Sequence, residues 1–153
     1  MKQKIIILIF MVIIALAGCT QEPAQPAEPT PTPDVVTTAS IVNDEAAFKK
    51  AIGSSGTWII AILNDLTAND ELVLEGEFHD KNDQAKDLKR KIALYTQDAD
   101  HNVTARYTLT APKLTVKSPN ALIQSGTFKG DVYVEAKNFQ LVDATVDGNV
   151  YFA

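Results

Sequence analysis

The stretch Asn102–Ala153 reads NVTARYTLTAPKLTVKSP, NALIQSGTFKGDVYVEAK and NFQLVDATVDGNVYFA when written in rows of 18 residues, and the rows fall into columns. Asn102, Asn120 and Asn138 share one column. Leu114, Val132 and Val150 share another, and Val116, Val134 and Phe152 a third. Between these two lies Thr115, Tyr133, Tyr151, and just before them Pro112, Gly130, Gly148. A fixed period of this size predicts repeats that stack on their neighbours, because one repeat cannot bury its apolar face alone.

Each row offers three short strand-like pieces: Ala121 to Ile123, Gly126 to Phe128 and Val132 to Val134, repeated at Phe139 to Leu141, Ala144 to Val146 and Val150 to Phe152. Side chains alternate along a strand, so if Val132 and Val134 point inward, Tyr133 points out. The expected fold class is all-β, a single-stranded parallel β-helix (solenoid) over residues 57–153 with an N-terminal capping helix. Apolar residues at every sixth position from Leu122 would also suit a left-handed hexapeptide helix. Gln140 interrupts that series, and parallel crossovers strongly favour the right hand, so a right-handed winding is expected.

Working outward, residues 43–56 predict the capping helix. Asn43 suits the N-cap, Asp44 and Glu45 the first turn, Lys49 and Lys50 the last, and Gly53 the C′ position. Ala47, Phe48, Ala51 and Ile52 form one apolar stripe. Trp58 to Leu63 and Glu71 to Glu77 read as strands, and the charged run His79 to Arg90 as a solvated loop. The order of helix, apolar strand, Asp-containing turn and second strand is similar to the N-terminal end of right-handed β-helices of the pectate lyase kind. The last two rows resemble bactofilins, polymer-forming β-helix proteins, through Phe128-Lys-Gly-Asp-Val-Tyr133 and Val146-Asp-Gly-Asn-Val-Tyr151. Bactofilins are cytoplasmic or lie on the inner side of the membrane, and the N-terminus here departs from that pattern.

That N-terminus carries Lys2 and Lys4, then an apolar run from Ile5 to Ala17. The run is shorter than the roughly 20 residues of a spanning helix and suits the core of an export signal. Leu16, Ala17, Gly18 and Cys19 resemble the lipobox of bacterial lipoproteins. The resemblance implies a signal peptide over 1–18, cleavage before Cys19, and a diacylglyceryl thioether on Cys19, usually with an acylated (palmitate-type) amino group. At about 0.8 kcal/mol per buried CH2, two or more chains anchor stably where one does not. Residues 19–42 then form the lipidated cysteine and a tether, since five of the chain's seven prolines lie between Pro23 and Pro33.

Cys19 is the one cysteine, which excludes a disulfide and a thiolate metal site. Losing Lys2 and Lys4 with the signal takes the formal charge from −5 to −7, which gives no electrostatic reason to bind nucleic acid or anionic headgroups. The expected location is the extracytoplasmic side of the cell membrane, held by lipid on Cys19.

Among candidate sites, the asparagine column Asn102, Asn120, Asn138 is read as a structural ladder, its amides bonding from one row to the next. Tyr133 and Tyr151 are read as a ligand platform for the apolar face of a sugar, against the alternative that they only stabilise the sheet. Asp98, Asp100 and Asn102 space like the start of an EF-hand loop, but Val103 and Leu109 stand where glycine and glutamate are needed, so no metal or cofactor is assigned. The reading that follows is a non-catalytic binding or structural module with envelope glycans as the partner. The alternatives are a lyase-like polysaccharide enzyme, drawing on Arg106, Lys113 or Lys129 as base with Asp131, Asp143 or Asp147 as calcium ligands, and a self-assembling surface protein. The last follows from Val150 and Phe152, which sit in a strand lacking any charged gatekeeper and read either as a fragment boundary or as an end-to-end interface.

Overall fold

The computed structural model describes residues 39–153; the expected signal peptide, Cys19 and residues 20–38 of the expected tether lie outside the described residues, while its last four residues form a strand. In chain order the elements are β1 (Ala39–Val42), α1 (Glu45–Ile52), β2 (Ile59–Ile62), β3 (Leu66–Thr67), β4 (Leu72–Leu74), β5 (Arg90–Ala93), β6 (Tyr95–Gln97), β7 (Val103–Arg106), β8 (Thr108–Val116), β9 (Ala121–Gln124), β10 (Thr127–Val134), β11 (Gln140–Val142), β12 (Thr145–Asp147) and β13 (Val150–Phe152). β1, β2, β5, β9 and β11 form one parallel sheet, in that order. A second parallel sheet runs β12, β10, β8, β3, with β13 also paired to β10 and β4 to β8. β6 and β7 form a separate antiparallel pair.

This arrangement corrects the expected all-β, right-handed single-stranded β-helix. The described fold is α/β-like: parallel sheets with one helix whose side chains enter the core, and an antiparallel hairpin. The regular step that a solenoid requires is absent over most of the chain. Ala39 lies beside Ile59, Ile59 beside Lys91, and Arg90 beside Ala121, steps of 20, 32 and 31 residues. Leu66 lies beside Leu109, a step of 43. The 18-residue step holds only late in the chain, where Leu122 pairs with Gln140, Thr127 with Thr145 and Val132 with Val150. Between β8 and β10 the step changes from 19 to 18 at a bulge between Lys129 and Asp131.

The core lies between the two sheets and under α1. Ile60, Ile62, Ile92 and Ile123 come from the first sheet, and Leu72, Leu74, Leu114, Phe128 and Val132 from the second. Phe48, Ala51 and Ile52 come from the helix. Period-2 alternation sets this, since Leu72 and Leu74 are buried while Val73 between them is exposed. Burying several such side chains, at roughly 1.5–3 kcal/mol each, is what makes an eight-residue helix stable here.

The helix begins one residue later than expected. Asp44, in extended conformation, is the N-cap and accepts from the Ala47 amide at 2.8 Å. Its carboxylate satisfies a free N–H of the first turn and adds charge at the positive end of the dipole. Gly53 is extended rather than left-handed, so the C-terminal carbonyls need other donors. Arg90 supplies them. Its Nη2 donates to Ala51 O at 2.7 Å and to Gly53 O at 3.1 Å, and its Nη1 donates to Glu75 O at 3.2 Å. The guanidinium carbon lies 3.7 Å from the centre of the Phe78 ring. Arg90 is fully buried, and its Nε finds no acceptor among the described residues. Burial pushes its pKa down to about 10, so the cation persists at neutral pH.

The other end of α1 is tied to the β3–β4 turn. Lys49 bridges Glu45 at 2.7 Å and Asp70 at 2.5 Å, while Asn69 donates to Glu45. The hydrogen bond from Lys49, followed by those from Asn69, lowers the Glu45 carboxyl to about 2.

Two outcomes follow. Arg90→Leu removes the side-chain donor from the buried Ala51 carbonyl and from the part-buried Gly53 and Glu75 carbonyls and should cost about 3 kcal/mol in urea unfolding, far more than Arg106→Leu on the surface. A depressed carboxyl stabilises the fold above its unfolded value and loses that contribution as pH falls through the folded one. The Glu45 contribution is therefore present above pH 4.5 and lost between 4.5 and about 2, and Glu45→Gln should flatten the unfolding midpoint across that window.

Candidate functional site

The outer face of the second sheet carries the tyrosine column. Registry places Val73 beside Thr115, Thr115 beside Tyr133 and Tyr133 beside Tyr151. The two rings stack with centroids 4.6 Å apart and an interplanar angle of 26°. That spacing is close to the strand separation, so the rings face one another along the direction in which strands add. Lys113, on the opposite flank of β10 from β13, places Nζ 5.3 Å from the Tyr133 centroid and bridges Glu71 at 2.7 Å. The hydrogen bond to Glu71 raises the Lys113 pKa.

This geometry limits what the pair can bind. A sugar stacks its apolar face on an open ring face. Tyr133 is engaged by Tyr151 and by Lys113, so the pair turns ring edges to solvent and leaves the far face of Tyr151, toward the sheet edge, as its open face. Asp131 lies nearby; its Oδ1 accepts from the Asn149 amide at 2.9 Å and from Asn149 Nδ2 at 3.1 Å. Its charge is the first cause of the raised Tyr151 pKa.

Asn120 and Asn138 both adopt left-handed backbone, with φ of 52° and 60°, a conformation that asparagine tolerates better than most residues. Asn138 Nδ2 donates to Asn120 Oδ1 at 3.0 Å, and Asn120 Nδ2 donates to Leu88 O at 2.9 Å. Asn102 lies elsewhere, in the β6–β7 turn, where its amide and Nδ2 both donate to Asp98. Asp98 also accepts from the Asp100 amide, and these bonds, those from Asn102 first, lower its pKa. Its oxygens thus serve the turn itself, and no group of metal-ligating side chains occurs among the described residues.

Gly130 and Gly148, in the column that begins with Pro112, mark a close backbone approach. Gly130 has φ +136°, and a Cβ there would lie 1.9 Å from Ala111 O; at Gly148 it would lie 2.0 Å from Gly130 O. No side chain fits between the strands at this point.

Most of the charged residues considered for catalysis are engaged in ion pairs. Arg106 bridges Asp143 at 2.6 Å and holds its carboxyl below the ordinary range, with Ser125 donating to the same oxygen. Lys129 lies 4.0 Å from Asp147. Of the two histidines, His79 meets Lys86 O and His101 meets Gln97.

The most unusual surface is the edge formed by β11, β12 and β13. Leu141 occupies the inward column of Ile123, which is fully buried, yet is 42% exposed; Phe152 occupies that of Val134 and is 74% exposed. Phe139, Val146 and Val150 are only partly buried against the core. Side chains with core orientation therefore reach solvent at this edge, while α1 covers the opposite end. The sequence marked Val150 and Phe152 as a strand lacking a charged gatekeeper, but it carried no signal of the exposure of Leu141.

A scan against protein-family models finds no match, and searches of curated proteins and of solved structures likewise return none.

The asparagine turn separates two contributions. Asn120→Ala loses both the left-handed preference and the amide bonds, and should cost about 2 kcal/mol. Asn120→Gly keeps the backbone freedom and should recover about half of that in thermal unfolding.

Proposed function

We propose that the chain is a lipid-anchored extracytoplasmic protein whose described portion is a non-catalytic interaction module working through the β11–β13 edge. The observation that carries this reading is the exposure of Leu141 and Phe152 at core-facing positions. A contiguous apolar surface bounded by strand edges is a surface for another polypeptide, because strand N–H and C=O groups and apolar side chains are satisfied together by an added strand. Support for a non-catalytic role comes from Arg106, Lys113 and Lys129, which lie 2.6, 2.7 and 4.0 Å from the carboxylates of Asp143, Glu71 and Asp147. The lyase-like alternative would need one of them free as a base beside open acidic ligands.

Attachment rests on Leu16-Ala-Gly-Cys19 and on the proline-rich segment that follows, which suits a semi-rigid spacer. Among the described residues no helix is long and apolar enough to cross a membrane. Envelope glycan remains a second reading on one observation, the open far face of Tyr151 beside Asp131. A single ring face with one acidic neighbour supports weak contact with one sugar unit.

Metabolic labelling with a fatty acid analogue tests the anchor. The full chain should take up label and fractionate with envelopes, and Cys19→Ser should lose the label; equal labelling of both would overturn lipidation at Cys19.

A further inference from the structure

We infer that the outer face of the first sheet is a docking surface for a segment of this same chain, residues 31–38, which reads PTPDVVTT and lies outside the described residues. The inference goes beyond the edge reading and does not rest on it. The face carries a second apolar cluster, apart from the core: Trp58, Ile59, Ala61, Ala93 and Tyr95, each 4% exposed or less. Ile59 and Ala61 alternate with the core residues Ile60 and Ile62, so they point to the opposite side of β2. Registry sets Ala61 between Ile41 and Ala93. Ile41, on the edge strand, is 46% exposed, whereas Ala61 and Ala93 are nearly sealed. Among the described residues the partly buried apolar side chain packed on this cluster is Phe78, and β6 and β7 make their close backbone contacts with each other rather than with β2. Two alanines and an isoleucine in mid-sheet need a layer over them to be sealed to this degree.

The chemistry of the face fits that segment. Lys89, Arg90 and Lys91 each meet a different ring. Lys89 Nζ lies 5.9 Å from the Trp58 centroid, the Arg90 guanidinium 3.7 Å from that of Phe78, and Lys91 Nζ 5.1 Å from that of Tyr95. Lys91 Nζ also donates to the Tyr95 hydroxyl at 2.9 Å. Rings held by cations in this way present fixed faces, and such faces take proline, whose extended segment loses little entropy on docking. Pro31 and Pro33 supply the prolines, and Val35 and Val36 the apolar side chains for Ile59 and Ala61. Asp34 brings a carboxylate to a face carrying Lys89 and Lys91, and the segment holds no basic residue to oppose it.

Chain connection makes the contact short-range. Thr38 leads into Ala39, which pairs with Ile59. Thr57 Oγ1 donates to Ser40 Oγ at 3.1 Å and to Ile59 O at 2.7 Å, which fixes where the segment joins the sheet. Neighbouring strands lie about 4.8 Å apart and an extended residue spans about 3.1 Å, so eight residues reach across β2 and past β5. The segment is thus held at the high local concentration of a short linker. On the anchored reading, the spacer expected over 19–42 then ends at residue 30, and Pro31 and Pro33 strap the domain instead of lengthening its reach.

Trp58 is the chain's one tryptophan, so its fluorescence reports on this face. In the full chain, in detergent, Val35→Asp with Val36→Asp should move Trp58 emission to longer wavelength and raise its acrylamide quenching about threefold, with circular dichroism unchanged. Unchanged emission and quenching would overturn the docking. Where that variant loses circular dichroism, a label decides. In the full chain carrying Cys19→Ser, Thr32→Cys is labelled with bimane, a dye quenched by tryptophan at contact. It should emit about threefold less than the same chain with Trp58→Phe, and dilution by about tenfold should leave the ratio unchanged. Equal emission from the two chains would overturn docking of residues 31–38. Quenching that disappears on dilution would place the segment on another copy and overturn the contact within one chain.

Discussion

The buried guanidinium of Arg90 is the interaction on which the rest of the fold depends. It stands at the start of a central strand and reaches the C-terminal carbonyls of α1 and the carbonyl of Glu75, joining helix and both sheets at one point. A buried cation is costly unless its donors are satisfied, and here the helix dipole, three carbonyls and the Phe78 ring offset that cost while Nε finds no acceptor among the described residues. Gly53 does not turn left-handed to cap the helix from within; Gly56 N–H donates to Gly53 O at 3.0 Å, and Arg90 reaches Ala51 O.

Fixing α1 in this way closes one end of the core and leaves the sheets to extend in one direction. Along that direction the strands repeat closely enough for asparagine to meet asparagine and tyrosine to meet tyrosine, and the glycines at Gly130 and Gly148 allow the backbones to approach. The same regularity means that the last strands present core-facing residues with nothing among the described residues laid over them. Most edges of natural sheets carry charge, proline or a covering element. β13 carries Val150, Tyr151 and Phe152, so its function is more readily sought in what it contacts than in chemistry performed on its face.

What could be read in advance was local and periodic. The columns of Leu114, Val132, Val150 and of Thr115, Tyr133, Tyr151 correspond to strand registry because spacing along the chain equals spacing in space over those rows. That equality fails upstream. Asn102 fits the asparagine column by arithmetic, but the β6–β7 hairpin diverts the chain, and Asp98 takes its amide. The solenoid expectation failed for the same reason, since steps of 20, 32 and 43 residues do not define a repeating turn. Arg90 was the hardest to see. It closes a charged run that reads as solvated, and its partners lie 37 and 39 residues away with no pattern linking them. Apolar periodicity reports which faces are buried, and it is silent on a polar group buried by distant carbonyls.

Hydrogen exchange followed by mass spectrometry, at a protein concentration low enough to keep copies apart, tests the central contrast between a sealed and an open end most directly. With α1 and Arg90 closing one end, amides of β2 and β5 should exchange slowest, near the rate set by global unfolding, and those of β11 and β13 should exchange much faster. Uniform protection across the four strands, or faster exchange in β2 and β5 than in β13, would contradict it.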